Sequence, residues 1–242
     1  MGGVALGLFA LSLVSGMLGL GVAFAAVPFL SFFLEDLVHQ VQPLALLLNG
    51  VTAAFAVVGF AQSRLVDWKK ALLLALVTTL SAPLGAWWVQ SVPVRWVWFV
   101  YLGAVAYLAY TLFRPPKGAL ARENFPLALV LAAPIAVLAG FLGVGPGFLL
   151  FPTLVLTGHE PKKAAAINAF AVTPPSFSSL LPHLPAARLD PTLTLVLVLV
   201  GALGSYLGSR LTSLYLPPKR LKQLFGLLIL AATAYRVWTL LS

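Results

Sequence analysis

Between short charged loops the chain runs in apolar stretches of about 20 residues, seven or more of them. Each is long enough to cross a bilayer core of roughly 30 Å. Of the 242 residues, 61% are hydrophobic and only 9% charged, and the mean hydropathy is +1.01. A water-soluble domain of this size needs far more charged surface than that. The sequence therefore predicts an all-α polytopic membrane protein, with residues 1–242 forming a single transmembrane domain.

Several function classes fall away at this point. The net charge of +9 is carried by Lys and Arg scattered in short loops, with no basic stripe, which suits an anionic membrane face and not nucleic acid. With no cysteine there is no disulfide, thiolate metal site, iron–sulfur cluster or Cys nucleophile. His39, His159 and His183 are too dispersed to predict a metal site, and no cofactor is expected. Glu35, Asp36, Asp67, Glu123, Glu160 and Asp190 all fall in loops or at span ends. No Ser–His or paired-carboxylate arrangement sits at membrane depth, so the chain is not read as an enzyme. Ala23-Phe24-Ala25 looks like a signal-peptide cleavage site. A basic n-region is missing, however, and the apolar run continues to Leu34, so residues 1–34 are expected to be mature structure.

The chain repeats itself. GMLGLGVAFAAVP at 16–28 returns as GFLGVGPGFLLFP at 140–152, so that a shift of 124 carries Gly16, Leu18, Gly19, Gly21, Phe24 and Pro28 onto Gly140, Leu142, Gly143, Gly145, Phe148 and Pro152. The echo continues at shifts of 119 to 123. Asn49 answers Asn168, Asp67 answers Asp190, Ser81 and Gly85 answer Gly204 and Gly208, and Gly103 answers Gly226. Repeat one (1–117) and repeat two (122–242) are joined by the polar linker 114–124.

Each half carries three ordinary spans after its opening segment, at 44–63, 71–91 and 94–113, then 163–182, 191–214 and 219–241. The opening segments, 4–34 and 125–157, exceed one untilted span and hold their glycines at the centre. If each crossed once, the eight spans would split Lys and Arg seven against eight. If each enters, turns at its glycines and leaves by the same side, the split is twelve against three, with only Arg95, Arg188 and Arg236 on the poorer face. The positive-inside rule favours that second arrangement, with both termini outside a cell inner membrane and the halves inverted about an axis in the membrane plane.

The glycine strings lack the GxGxxG and GxxxxGK[ST] spacings of nucleotide loops. A helix-packing seam suits Gly204-xxx-Gly208 and Ser81-xxx-Gly85 better. For the strings themselves a chain reversal at membrane depth is expected, with Gly145 ending the turn and Pro146 starting a half-helix towards Pro152 and Leu156. The N-terminus of such a half-helix offers free N–H groups and partial positive charge to an anion. A second terminus near Gly21–Ala23 is expected to approach from the opposite face.

The candidate substrate-binding residues are therefore Gly19, Gly21, Val22 and Ala23 of the first tip, Gly143, Gly145 and Gly147 of the second, and the matched Asn49 and Asn168. Thr52, Thr173 and Ser176 join them as mid-span polar groups. Pro174 and Pro175 are expected to break their span and form a gate, with His183 near its outer end as a gating or proton-binding residue.

At these residues the sequence resembles the TauE/SafE family of sulfite exporters. The likeness rests on the paired glycine strings, on RLVDWKKAL and ARLDPTLTL before the third segment of each half, and on GALGSYLGSRL followed by LPPKRLKQLFGLLIL. It covers essentially the whole chain. The resemblance implies transport of small sulfur-containing anions, such as sulfite or organosulfonates, commonly as export. The family's fuller glycine run is interrupted here by Val22, Ala23 and Pro146, and the absence of cysteine argues against the thiosulfate-uptake branch. The expected partners are the small anion and the lipid bilayer, and a homodimer is compatible with the sequence. A carrier or channel for another small solute, or a non-transporting membrane subunit, is the alternative reading.

Overall fold

The computed structural model describes residues 2–88, 103, 123–142, 145–221 and 223–224. Every regular element among the described residues is helical: α1 (Gly2–Leu18), α2 (Ala23–Leu30), α3 (Gln42–Gln62), α4 (Trp68–Trp88), α5 (Phe125–Leu142), α6 (Gly147–Leu156), α7 (Pro161–Leu180) and α8 (Pro191–Leu214). A π-helical turn, Leu37–Val41, leads into α3, and a 3-10 turn, Leu181–Ala186, follows α7. The expected spans at 44, 71, 163 and 191 start within three residues of α3, α4, α7 and α8. Those at 94–113 and 219–241 lie largely outside the described residues, as does Gly143.

Helix starts follow local chemistry. Proline stands in the first turn of α3, α7 and α8, where its missing N–H has no intrahelical partner to lose. Asp190 caps α8 by accepting from the Leu193 N–H at 2.6 Å. Two helices, His39–Gln62 and Pro191–Leu214, are long and apolar enough to cross a membrane by length and composition, and Gly2–Leu18, Phe125–Phe141 and Gly147–Leu156 are shorter apolar helices. Exposed leucines recur at four-residue spacing along one face of α4 (Leu72, Leu76, Leu80, Leu84) and of α8 (Leu195, Leu199, Leu203, Leu207, Leu211). Continuous apolar rows of this kind fit a lipid boundary and not water.

Side-chain contacts fix the helix directions. Against α8, α1 places Leu13 at Gly208, and the Met17 carbonyl accepts from Thr212 Oγ1 at 2.9 Å. Beside the same helix, the Thr52 carbonyl of α3 accepts from Ser205 Oγ at 2.6 Å, and Ser63 just past α3 accepts from Arg210 Nη1 at 3.0 Å. Both helices therefore run in the direction of α8, and the chain between them must double back. It does so through α2, whose Phe29 ring lies over Gly7 near the start of α1.

The second half repeats the arrangement on α4. The Ala82 carbonyl faces Gly140 of α5, and Gly85 faces Val137 and Phe141. This matches the contact of Gly208 with Leu13 and Met17 in the first half, residue for residue at the spacing of 124 on the opening helices. The opening helix of each half thus packs on a span of the other half, and the small residues predicted as packing seams make the close crossings. In contrast, α3 and α7 are antiparallel, with Asn49 and Gly50 near the start of α3 meeting Ser176 and Phe177 near the end of α7.

The central core joins Leu18, Phe60, Phe148, Leu150, Phe151 and Leu154 to the alanines that open α7. Beyond the far end of α6 a charged cluster closes the fold. Buried His159 donates from Nδ1 to the Leu154 carbonyl at 3.1 Å, and its Nε2 lies 3.1 Å from Glu123 Oε1. Glu123 also pairs with Lys70, which reaches Asp67 at 3.3 Å. Burial pushes the His159 pKa below the usual histidine value, against the pull of the Glu123 carboxylate.

Candidate anion site at the paired glycine tips

The two glycine tips meet in the interior. Gly21 has φ +71 and Gly145 φ +75, the left-handed region that an L side chain rarely enters, so α1 and α5 must break at these matched positions. After the second break the Pro146 carbonyl accepts from the N–H groups of Leu149 and Leu150 at 3.1 and 2.9 Å. Pro146 is therefore the N-cap of α6, as its place in the string predicts, within one residue. The rings of Phe24 and Phe148 stack across the junction, with centroids 4.1 Å apart and planes inclined by 10°. The Leu20 carbonyl lies so close to Gly147 that a Cβ there would collide with it.

Both matched asparagines stand at this junction, with opposite roles. Asn49 Oδ1 accepts from the Ala23 N–H at 2.8 Å, and its Nδ2 donates to Ser176 Oγ at 2.8 Å. It also borders Gly145, where an added Cβ would stand 2.9 Å from Nδ2. Asn168 Nδ2 donates to the carbonyls of Gly19, at 2.7 Å, and Gly147, at 3.1 Å, while its buried Oδ1 has no partner among the described residues. Each amide therefore touches both tips, one mainly through an accepted N–H and the other through donated bonds.

The first tip differs from expectation. Its opening amides are not free: the Val22 N–H donates to Thr52 Oγ1 at 3.2 Å and the Ala23 N–H to Asn49. Buried backbone donors must be paired, and here the neighbouring span supplies the acceptors. Ser15, which the sequence reading did not single out, donates its hydroxyl to the Gly21 carbonyl. The cavity of about 80 Å³ beside this tip is walled by Leu11, Val14, Leu20, Phe24 and Ala25 together with Ser15 and Gly21, almost entirely in carbon. It offers nothing to a charge.

The second tip has a different neighbour. A cavity of about 60 Å³ adjoins Gly145 and Pro146 and is bounded by Leu46, Ala82, Ala139, Gly140, Pro175, Ser176, Ser179 and His183. One water needs roughly 10–15 Å³ on this measure, so the space suits a group of several heavy atoms. Among the described residues, no carboxylate, lysine or arginine lines it. Ser176 is already committed, accepting from Asn49 and donating to the Val172 carbonyl at 2.6 Å. His183, just past the end of α7, is half-buried, and burial lowers its pKa below the usual value, favouring the neutral ring.

The expected break at Pro174-Pro175 does not occur. Instead α7 runs continuously from Pro161 to Leu180, and Thr78 Oγ1 of α4 donates to the Ala171 carbonyl, four residues before Pro175, at 2.9 Å. Pro175 lines the cavity and Pro174 does not. Thr173 bonds its own helix through the Ala169 carbonyl at 2.9 Å and lies outside the lining. Ser179 and Thr78 were not among the candidates, because a mid-span hydroxyl can bond its own helix and its position in the sequence alone marks no role. Phe24 and Phe148 were visible as matched positions, but a repeated aromatic reads equally well as core.

The model of the family described as sulfite exporter TauE/SafE matches residues 4–236. A probable membrane transporter protein of Xylella fastidiosa (strain 9a5c) is 26% identical over 180 residues, covering 71% of this chain and 69% of that protein. Another of the same description, from Xylella fastidiosa (strain Temecula1 / ATCC 700964), is 28% identical over 182 residues, covering 71% and 69%. No solved structure matches. With its family model spanning nearly the whole sequence, the chain belongs to the sulfite exporter TauE/SafE family.

Proposed function

We propose that this protein is a membrane transporter that exports a small sulfur oxyanion, sulfite or an organosulfonate such as sulfoacetate, through the cavity beside Gly145 and Pro146. The observation that carries the reading is that cavity. It is open to several heavy atoms, free of carboxylates among the described residues, and set at the start of α6. The start of a helix carries about half a positive charge, which favours an anion without a buried Lys or Arg. The names of the relatives support transport, and the family description supports transport of a sulfur-containing cargo.

In this reading the halves are inverted repeats, each a broken helical hairpin plus three transmembrane helices. The common direction of α1 and α3, and the opposed direction of α3 and α7, support it. The charge distribution then sets both termini outside the inner membrane. With the cell interior negative, each exported charge gains about 2.3 kcal/mol per 100 mV, and a dianion roughly 4.6 kcal/mol. Asn49 and Asn168 hold the two tips together, and rocking of one half on the other would open the cavity to alternate faces. Flux from proteoliposomes loaded in turn with sulfite, sulfoacetate, sulfate and acetate tests the reading. Movement of the sulfur oxyanions but not acetate is expected, and silence for all four overturns it.

A further inference from the structure

We propose that His183 binds a proton together with the transported anion, making the cavity beside the second tip a joint site for one anion and one proton. The inference rests on the anion-site reading above and adds a coupling ion to it. Its basis is the composition of the cavity wall. The elements that enclose it contribute Leu46 from α3, Ala82 from α4, Ala139 from α5, Pro146 from the tip and Ser179 from α7, none of which titrates. His183 is the one ionisable side chain among the described lining residues.

An anion entering such a space leaves water for walls that carry no countercharge beyond the backbone dipole of α6. Among the described lining residues, the group able to supply a full positive charge is the imidazole. In the empty protein burial keeps that ring neutral near pH 7. A bound anion reverses the balance, because an opposite charge a few ångströms away favours the imidazolium. Linkage then requires the anion to bind more tightly as pH falls, between the histidine pKa of the loaded and that of the empty site. Each pKa unit separating the two corresponds to tenfold in affinity. A monoanion would cross with its proton as a neutral pair, and a dianion would carry one net charge, so the membrane potential would drive the first not at all and the second half as strongly.

Methanesulfonate suits the test because its own charge is constant across the relevant pH range. Its affinity for the purified full-length protein is measured by calorimetry from pH 5.5 to 8, in pairs of buffers differing in ionisation enthalpy. Wild type is expected to bind about tenfold or more tightly at the acid end, and to take up a fraction of one proton per anion that shrinks at either extreme of pH. His183→Gln is expected to bind at every pH with roughly the wild-type pH 8 affinity and to take up no proton. Wild-type binding that is independent of pH and of buffer overturns the coupling and leaves the anion site standing. A pH slope that persists unchanged in His183→Gln also overturns it, since the proton then sits elsewhere. Should wild type fail to bind the anion at any pH, the site assignment and the coupling fall together. The buffer-pair measurement on wild type keeps the proposal open to refutation even if the variant does not fold.

Discussion

Thr78 Oγ1 on α4 donates to the carbonyl of Ala171 on α7, 93 positions away in sequence, at 2.9 Å. Proline at 175 has no N–H for that carbonyl, and a buried unpaired acceptor costs about 1–3 kcal/mol. A hydroxyl from the other half thus satisfies one of the two carbonyls, those of Phe170 and Ala171, that Pro174 and Pro175 leave without a helical N–H. Thr78→Val, nearly the same shape without the donor, is expected to lose about 1–2 kcal/mol and several degrees of Tm. Thr78→Ser should restore most of it. Thermal unfolding in detergent measures both, and equal Tm for Val and Ser variants would remove the proposed role.

Asn49 joins the two tips, and its replacements separate its functions. Asn49→Ala leaves the Ala23 N–H and Ser176 without their partner and is expected to reduce sulfonate efflux from proteoliposomes at least tenfold, consistent with about 1–3 kcal/mol for an unpaired buried group. Asn49→Asp keeps the acceptor for Ala23 but brings negative charge to the border of Gly145, so efflux should fall further while the protein remains folded. If Asn49→Ala and Asn168→Ala both leave sulfonate binding unchanged, the site has been placed wrongly.

Gly21 and Gly145 occupy φ values that cost an L residue about 1–2 kcal/mol. At Gly21 a Cβ would also meet the Asn49 amide directly, whereas at Gly145 it would stand 2.9 Å from Asn49 Nδ2. Gly21→Ala is therefore expected to be the more destabilising of the two, read as the larger drop in Tm or in yield of folded protein. The reverse order would mean that the second tip is the more tightly packed.

His159 makes stability depend on pH. Burial holds its folded pKa below the usual histidine value of 6.5, even with Glu123 beside it. The unfolded chain therefore takes up a proton first as the solution is acidified, and stability should decline as pH falls through about 6.5 and below, then level off beneath the folded pKa. His183 is shifted in the same direction and adds to the slope. Tm measured from pH 5 to 8 should show the decline in wild type, with a shallower one in His159→Gln. A rise in Tm on acidification would mean that Glu123 outweighs burial at His159.

Much of the architecture was legible because hydropathy and glycine act locally. The starts of α3, α4, α7 and α8 follow from where charged loops give way to apolar runs, and the breaks at Gly21 and Gly145 follow from a glycine string repeated 124 residues on. What could not be read depends on partners distant in sequence. Two prolines in a row argue for a broken helix until Thr78 is seen to donate from another element. The first tip argues for free amides until Thr52 and Asn49 are found beneath it. The asymmetry of the cavities, one walled by carbon and the other by Ser176, Ser179 and His183, arises from residues outside the repeat's matched positions.

The exchange of opening helices between halves bears on synthesis. The N-terminal helix α1 ends at Leu18, but the surface it packs against begins at Pro191. At about 5–20 residues per second, a ribosome needs roughly ten to thirty-five seconds to make the intervening chain. Throughout that interval Gly16 and the Met17 carbonyl have no lasting partner, and the nascent hairpin must wait for Ser205 and Thr212 to emerge. The first half is not complete when it leaves the ribosome, and assembly is fastened only once α8 has been translated.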